Sequence, residues 1–165
     1  PPIWRRLEVP GSMTLSGLHD AIQAVMGWGG FHLYAFDVGG TQYGDPTQVD
    51  DVNSDERLTV GSIAKSGVTP FLYVYDFGDN WRHRIAIEGK IPRLDGRRYP
   101  ACTGGKRSGP PEDCGGPWGY QDLLAALADP SAPRRDELLE LVDDGFDPDA
   151  FSVEVANAGL HARFE

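Results

Sequence analysis

The stretch that decides the fold is FLYVYDFGDNWRHRI, Phe71 to Ile85. Two runs of aromatic and aliphatic residues flank Gly78-Asp79-Asn80, the pattern of a β-hairpin. Its register depends on loop length, because a slip of one residue moves every side chain to the other face. A two-residue loop, Gly78-Asp79, sets Tyr75 opposite Arg82 and Asp76 opposite Trp81, which mixes apolar and charged groups on both faces. A three-residue loop, Gly78 to Asn80, sets Phe77 opposite Trp81, Tyr75 opposite His83, Tyr73 opposite Ile85 and Phe71 opposite Ile87. The other face then pairs Asp76 with Arg82 and Val74 with Arg84. The second arrangement separates the faces, so it is the expected one, with Asn80 in the left-handed conformation that Asn tolerates. The letters D-F-G in this stretch hold magnesium in protein kinases. That chemistry also needs a Gly-rich loop, a strand lysine and an H-R-D loop, and the chain has none of them.

On the N-terminal side, IWRRLEV (Ile3–Val9) reads as a strand with Ile3, Arg5, Leu7 and Val9 on one face. TLSGLHDAIQAVMGWG follows as a helix with Leu15, Leu18, Ile22, Val25 and Met26 on one face, Thr14 as N-cap and Gly27 at its end. FHLYAFDVGG and TQYG form a strand, a Gly-Gly turn and a short partner. Residues 45 to 57 are acidic and aperiodic and read as a surface loop. LTVGSIAKSG is a short helix ending at Gly67. On the C-terminal side, residues 92 to 119 are rich in Pro and Gly and read as a long functional loop or a disordered segment. Three helical pieces close the chain: YQDLLAALAD, RRDELLELVDDG and DPDAFSVEVANAG. The last is punctuated by Asp147 at N-cap, Pro148 at N1 and Gly159 at C′. Hairpins and helices mix without βαβ alternation, so the expected class is α+β, a small mostly antiparallel sheet with hairpins packed against several helices.

The composition bounds the function. The chain has 165 residues and a net charge of −10, so broad binding to a phosphate backbone is not expected. No apolar run approaches a membrane span, and the two cysteines do not make a disulfide framework. A cytoplasmic protein with reduced thiols is the expectation.

The second informative stretch is YPACTGGKRSGPPEDCGGPWGY, Tyr99 to Tyr120. Cys102 and Cys114 are separated by eleven residues, unlike the short spacing of a zinc knuckle. A metal would need His83, His32, Asp113 or Glu112 brought in from elsewhere, so no metal is assigned from sequence and the cofactor is left unknown. A cysteine nucleophile would need Cys114 to meet His83 in space. Alternatively, both thiols order the loop against the core, or pair in an oxidising setting. Glu112 and Asp113 point apart on an extended chain, and one of them is a candidate cap for the helix near Trp118. Asp79 reads as a turn residue, and His83 as a packed histidine or a ligand. Trp4, Trp28, Trp81 and Trp118, with Tyr34, Tyr73 and Tyr75, are candidates to line a pocket or to be core.

The strings PPIWRRLEVPGSMTLSGLHDAIQAVMGW, HLYAF, YVYDFGDNWRHRI and YPACTGGKRSGPPEDCGGPWGY, in that order, resemble the plasmid pRiA4b ORF-3-like family. Members also occur as TnpR-like passenger proteins of insertion elements. The resemblance implies an α+β fold and a mobile-element context, and it brings no established activity. Recombinase chemistry is not implied, since no nucleophilic serine sits among arginines. Members usually carry a further strand before the PPIWRR equivalent, so the chain is expected as one domain, 1–165, without that strand. Members often have a cysteine just before the P-P-E-D-C run, where this chain has Gly109.

These readings converge on a mobile-element accessory or binding domain, non-enzymatic, for an unknown small ligand or protein partner. The candidate site lies where the 77–83 hairpin meets the 99–120 loop and comprises His83, Asp79, Trp81, Tyr75, Glu112, Asp113, Cys114, Cys102 and His32. A small hydrolytic or metal-assisted enzyme using the same His, Asp, Glu and Cys residues is the alternative. A nucleic-acid accessory role through a local basic patch is the third reading.

Overall fold

The hairpin forms, with a longer loop than expected. In the computed structural model, which describes residues 1–165, β5 (Phe71–Tyr75) and β6 (Trp81–Ile85) pair antiparallel with Phe71 opposite Ile85, Tyr73 opposite His83 and Tyr75 opposite Trp81. Leu72 faces Arg84 and Val74 faces Arg82. The loop is therefore Asp76 to Asn80, and the expected pairs are displaced by two residues along β6. His83 lies opposite Tyr73 rather than Tyr75, and Asp76 has no strand partner. The displacement has a local cause. Asp76 turns left-handed (φ 60°), and its Oδ1 accepts from the N–H groups of Gly78 and Asp79 at 3.1 and 3.3 Å. This Asx turn ends the strand at Tyr75. Asn80 is left-handed, as expected (φ 59°). A shift of two preserves the faces. Phe71, Tyr73 and Tyr75 are buried, while Arg82 and Arg84 are exposed.

The hairpin extends a five-stranded sheet. β2 (Tyr34–Val38) and β3 (Thr41–Gly44) form the expected Gly-Gly hairpin, β2 pairs antiparallel with β5, and the two-residue β4 (Asn53–Ser54) adds in parallel to β3. The order is β4-β3-β2-β5-β6. The inner face carries Phe36, Phe71, Tyr73 and Tyr75. It packs on Leu15, Leu18 and Ile22 of α1 (Leu15–Met26) and on Ile63 of α2 (Val60–Ser66). The caps of α1 follow the sequence: Thr14 Oγ1 accepts from Gly17 N, and Gly27 ends the helix at φ 74°.

A second, two-stranded sheet joins β1 (Trp4–Glu8) to β7 (Ala101–Lys106). β7 lies inside the stretch read as a loop. Its sequence, ACTGGK, has poor strand propensity, and β1 supplies the ladder that holds it. Here the other face of α1, through Ala21 and Val25, packs with Cys102, Ala156 and Leu160. The last two come from α5 (Val153–Arg163). This helix starts later than its punctuation suggested. Ser152, not Asp147, is the N-cap, its side chain accepting from Val155 N. The helix also runs through Gly159, which approaches the Ala24 backbone of α1.

A third cluster gathers Cys114, Tyr120, Leu123, Ala126 and Leu138 from α3 (Gly116–Ala128) and α4 (Arg135–Leu139). Trp81 packs against this cluster and against the main one, joining them. The result is α+β, as expected. No helix is long and apolar enough to cross a membrane.

Candidate functional site

Three segments meet at one end of the large sheet: the chain leaving α1 (28–33), the hairpin loop (76–80) and the P-P-E-D-C-G-G stretch (110–116). The third is clamped onto the other two by named contacts. Trp28 Nε1 donates to the Pro110 carbonyl at 2.8 Å. Glu112 accepts from Gly29 N at 2.9 Å with one oxygen and from the Tyr75 hydroxyl with the other. Gly116, at φ 70°, lies so close to the hairpin loop that a Cβ there would stand 2.1 Å from the Asp79 carbonyl oxygen. Gly109 meets a similar limit, 2.1 Å from the Met26 carbonyl oxygen, so the cysteine that the resemblance implies at this position has no room in this backbone. Both adjacent acids turn to the 28–33 segment, Glu112 to Gly29 and Asp113, left-handed at φ 59°, to His32, and neither caps α3, whose N-cap is Gly115 with no side-chain bond.

Held in this way, Asp113 reaches His32. His32 Nε2 lies 2.7 Å from Asp113 Oδ1 and 3.7 Å from Asp76 Oδ2. The three ligand-type atoms fall within 4.8 Å of one another. Tyr75 sits edge-on to the His32 ring with centroids 6.0 Å apart. Its hydroxyl is pushed well above the usual phenol range by burial and by the Glu112 carboxylate. Two buried polar atoms here have no hydrogen-bond partner: His32 Nε2 and Asp79 Oδ2.

Beneath the cluster is an aromatic wall. Trp28 stacks on Tyr75 at 4.9 Å, approaches Trp81 at 6.0 Å and meets His83 edge-on at 5.5 Å. His83 Nδ1 lies 3.1 Å from the Trp81 carbonyl and 3.3 Å from that of Tyr73. Burial lowers its pKa, so the ring is a packed, neutral donor to the backbone. Cys114 is buried, and its thiol is pushed up to about 11 by burial first and by the Asp79 charge second. Cys102 lies apart, in the second core, with its backbone bonded to Asn157 and its thiol pKa also raised by burial. Of the four tryptophans, only Trp28 and Trp81 join the wall. Trp118 is 83% exposed, and Trp4 lies under the Arg6 guanidinium at 5.2 Å.

Sequence reasoning missed Asp76 as a site residue, taking it as the Arg82 partner. It also missed a buried polar chain behind the wall. Tyr73 accepts a hydrogen bond from Gln23 Nε2 at 3.0 Å and lies 2.6 Å from His19 Nδ1. The His19 ring stacks on Tyr34 at 3.5 Å, and the Tyr34 hydroxyl donates to Asp55. Burial lowers the His19 pKa to about 4. A separate groove of about 530 Å³ lies on the outer face of the sheet, lined among others by Ala35, Leu72, Val74, Phe77 and Arg82. It contains none of the candidate residues.

Comparison with known proteins shows the family and the fold. Residues 1–155 match the family described as plasmid pRiA4b ORF-3-like protein. An uncharacterized protein, y4hQ, of Sinorhizobium fredii (strain NBRC 101917 / NGR234) is 41% identical over 143 residues, covering 85% of this chain and 73% of the relative. The crystal structure of MM3350, a protein of unknown function from Methanosarcina mazei Go1, is similar with a TM-score of 0.85 and 38% identity. The match covers 93% of this chain and 89% of that one.

Proposed function

This chain belongs to the plasmid pRiA4b ORF-3-like family, and on that premise we propose that it is a non-catalytic binding domain whose site is the junction of residues 28–33, 75–83 and 109–116. One observation carries the reading. Asp79 Oδ2 is shut off from solvent without a hydrogen-bond partner, and His32 Nε2, equally shut off, has only its unaligned contacts with the Asp113 and Asp76 carboxylates, whereas buried polar groups are nearly always satisfied. Orphans gathered where three segments converge call for a partner from outside the chain.

The state of the reactive side chains favours binding over nucleophilic catalysis. A thiol raised to about 11, as at Cys114, is protonated at neutral pH. The His83 Nδ1 faces backbone carbonyls rather than Cys114. The mobile-element setting implied by the resemblance fits an accessory role of this kind.

Nuclear magnetic resonance of the ¹⁵N-labelled chain against a library of small polar and aromatic compounds tests the proposal. Hits are expected to perturb Gly29, Gly30, His32 and residues 112–116 together. Perturbations scattered over the surface, or turnover of ester and amide probes that Cys114→Ala abolishes, would overturn it.

A further inference from the structure

We infer that His32, Asp76 and Asp113 form a binding site for a divalent transition-metal ion. The inference rests on the binding-domain reading above and specifies the chemistry of an occupant.

The geometry is that of a ligand set. Each residue comes from a different one of the three converging segments and offers one atom, and the three atoms lie within 4.8 Å of one another. Ligands at about 2.0–2.2 Å from a tetrahedral ion stand about 3.3–3.5 Å apart. The observed His32–Asp113 and His32–Asp76 separations, 2.7 and 3.7 Å, bracket that spacing, and the two carboxylates lie within 4.8 Å of each other, so side-chain adjustments of about an ångström bring all three onto one ion.

The internal chemistry of the cluster is incomplete without a cation. Although 2.7 Å from Asp113 Oδ1, His32 Nε2 makes no aligned hydrogen bond, and it is sealed from solvent. Asp76 is only 9% exposed. Its Oδ1 is committed to Gly78 N and Asp79 N, while its Oδ2 takes no hydrogen bond and faces His32. A shared metal pairs this free carboxylate oxygen and the sealed imidazole nitrogen at once. The neighbours suit this role. Glu112, tied to Tyr75 and Gly29, fixes the strand of loop that carries Asp113, as outer-shell partners of metal ligands do.

The donor set selects the ion. One imidazole and two carboxylates suit Zn²⁺ or Mn²⁺, whereas Mg²⁺ and Ca²⁺ prefer all-oxygen shells. Three protein ligands leave at least one coordination position for an external ligand, which connects the cation to the binding role.

Calorimetric titration of the chelator-treated full chain with Zn²⁺, Mn²⁺, Mg²⁺ and Ca²⁺, each alone, tests the inference. One equivalent of Zn²⁺ per chain is expected, with weaker Mn²⁺ binding and no saturation by Mg²⁺ or Ca²⁺. Asp113→Asn and His32→Gln should each weaken Zn²⁺ at least about tenfold. Asp113 is exposed, and Asn suits its left-handed backbone (φ 59°), so Asp113→Asn is expected to keep the fold. Asp76→Asn keeps the Asx-turn acceptor and is expected to behave likewise. His161→Gln, in the last turn of α5, should leave the affinity unchanged. Absence of saturable Zn²⁺ binding, or unchanged affinity in both Asp113→Asn and His32→Gln, overturns the inference. If Zn²⁺ fails while library compounds still perturb residues 112–116, the metal assignment falls and the binding-domain reading stands. If Zn²⁺ binds as described while no compound does, the metal assignment stands.

Discussion

His19 shows what burial does to a single side chain. Its pKa falls from 6.5 to about 4 because the charged ring would lose its solvation between Tyr73 and Tyr34. Between those values the unfolded chain takes up a proton that the folded chain refuses. The stability held by the neutral ring is therefore complete above pH 6.5 and is lost as pH falls toward 4, a difference of about 3 kcal/mol. His83, also lowered by burial, acts in the same direction. Asp55, raised by burial, acts in the opposite one. Urea unfolding at pH 7 and pH 4.5 should show this loss in the wild type and a flatter profile in His19→Gln. Glu112 makes a second residue-scale case. Its carboxylate holds both Tyr75 and Gly29, so Glu112→Ala should cost about 2–3 kcal/mol, read by denaturant midpoint, and shift the Gly29 amide resonance. The sequence placed both adjacent acids near the site because the motif is dense in functional side chains. It did not reveal Asp76, because an Asp beside a hairpin tip has the same signature as a strand-end ion pair. The His19 chain was equally hidden, since His19 and Gln23 lie among the apolar positions of α1.

Among the elements, what was legible followed the strength of the period. α1, α2 and the β2–β3 hairpin lie where their caps, Gly-Gly turn and spacing put them. The faces of β5 and β6 were legible from alternation. Their register was not, because alternation cannot distinguish loops that differ by two residues and the deciding Asx turn is a side-chain contact. β7 was invisible, since Thr-Gly-Gly carries no strand signal and only pairing to distant β1 makes it one. α5 was misplaced because Asp-Pro and Gly imitate helix ends that Ser152 and the contact with α1 override. The docking of the 110–116 stretch on the hairpin loop depends on close backbone approach. Gly116→Ala should therefore lower stability by more than about 2 kcal/mol, combining a clash with left-handed strain. Gly40→Ala, at φ 88° in open space, should cost about 1 kcal/mol from strain alone. Equal losses in the two variants would mean that the hairpin loop and the 110–116 stretch do not press together.

For the whole molecule, a ligand that binds only the folded state raises its stability. With Zn²⁺ at a hundredfold excess over its dissociation constant, the gain is about 2.7 kcal/mol. For a chain of this length that corresponds to about 5–10 °C in Tm. Scanning calorimetry should show the rise in wild type and its loss in Asp113→Asn. The architecture also sets how such a molecule comes apart. α1 has one face in the main core and the opposite face in the second, with seven of its twelve residues buried. It is a shared wall, and neither half can open while the other keeps hold of it. The amides of α1 should consequently exchange with deuterium only when the entire chain unfolds. Those in β4, a two-residue strand beyond the main core cluster, should exchange through brief local openings. A perturbation arriving at either core would be felt first along this one helix, whose outgoing end leads directly into Trp28 and His32.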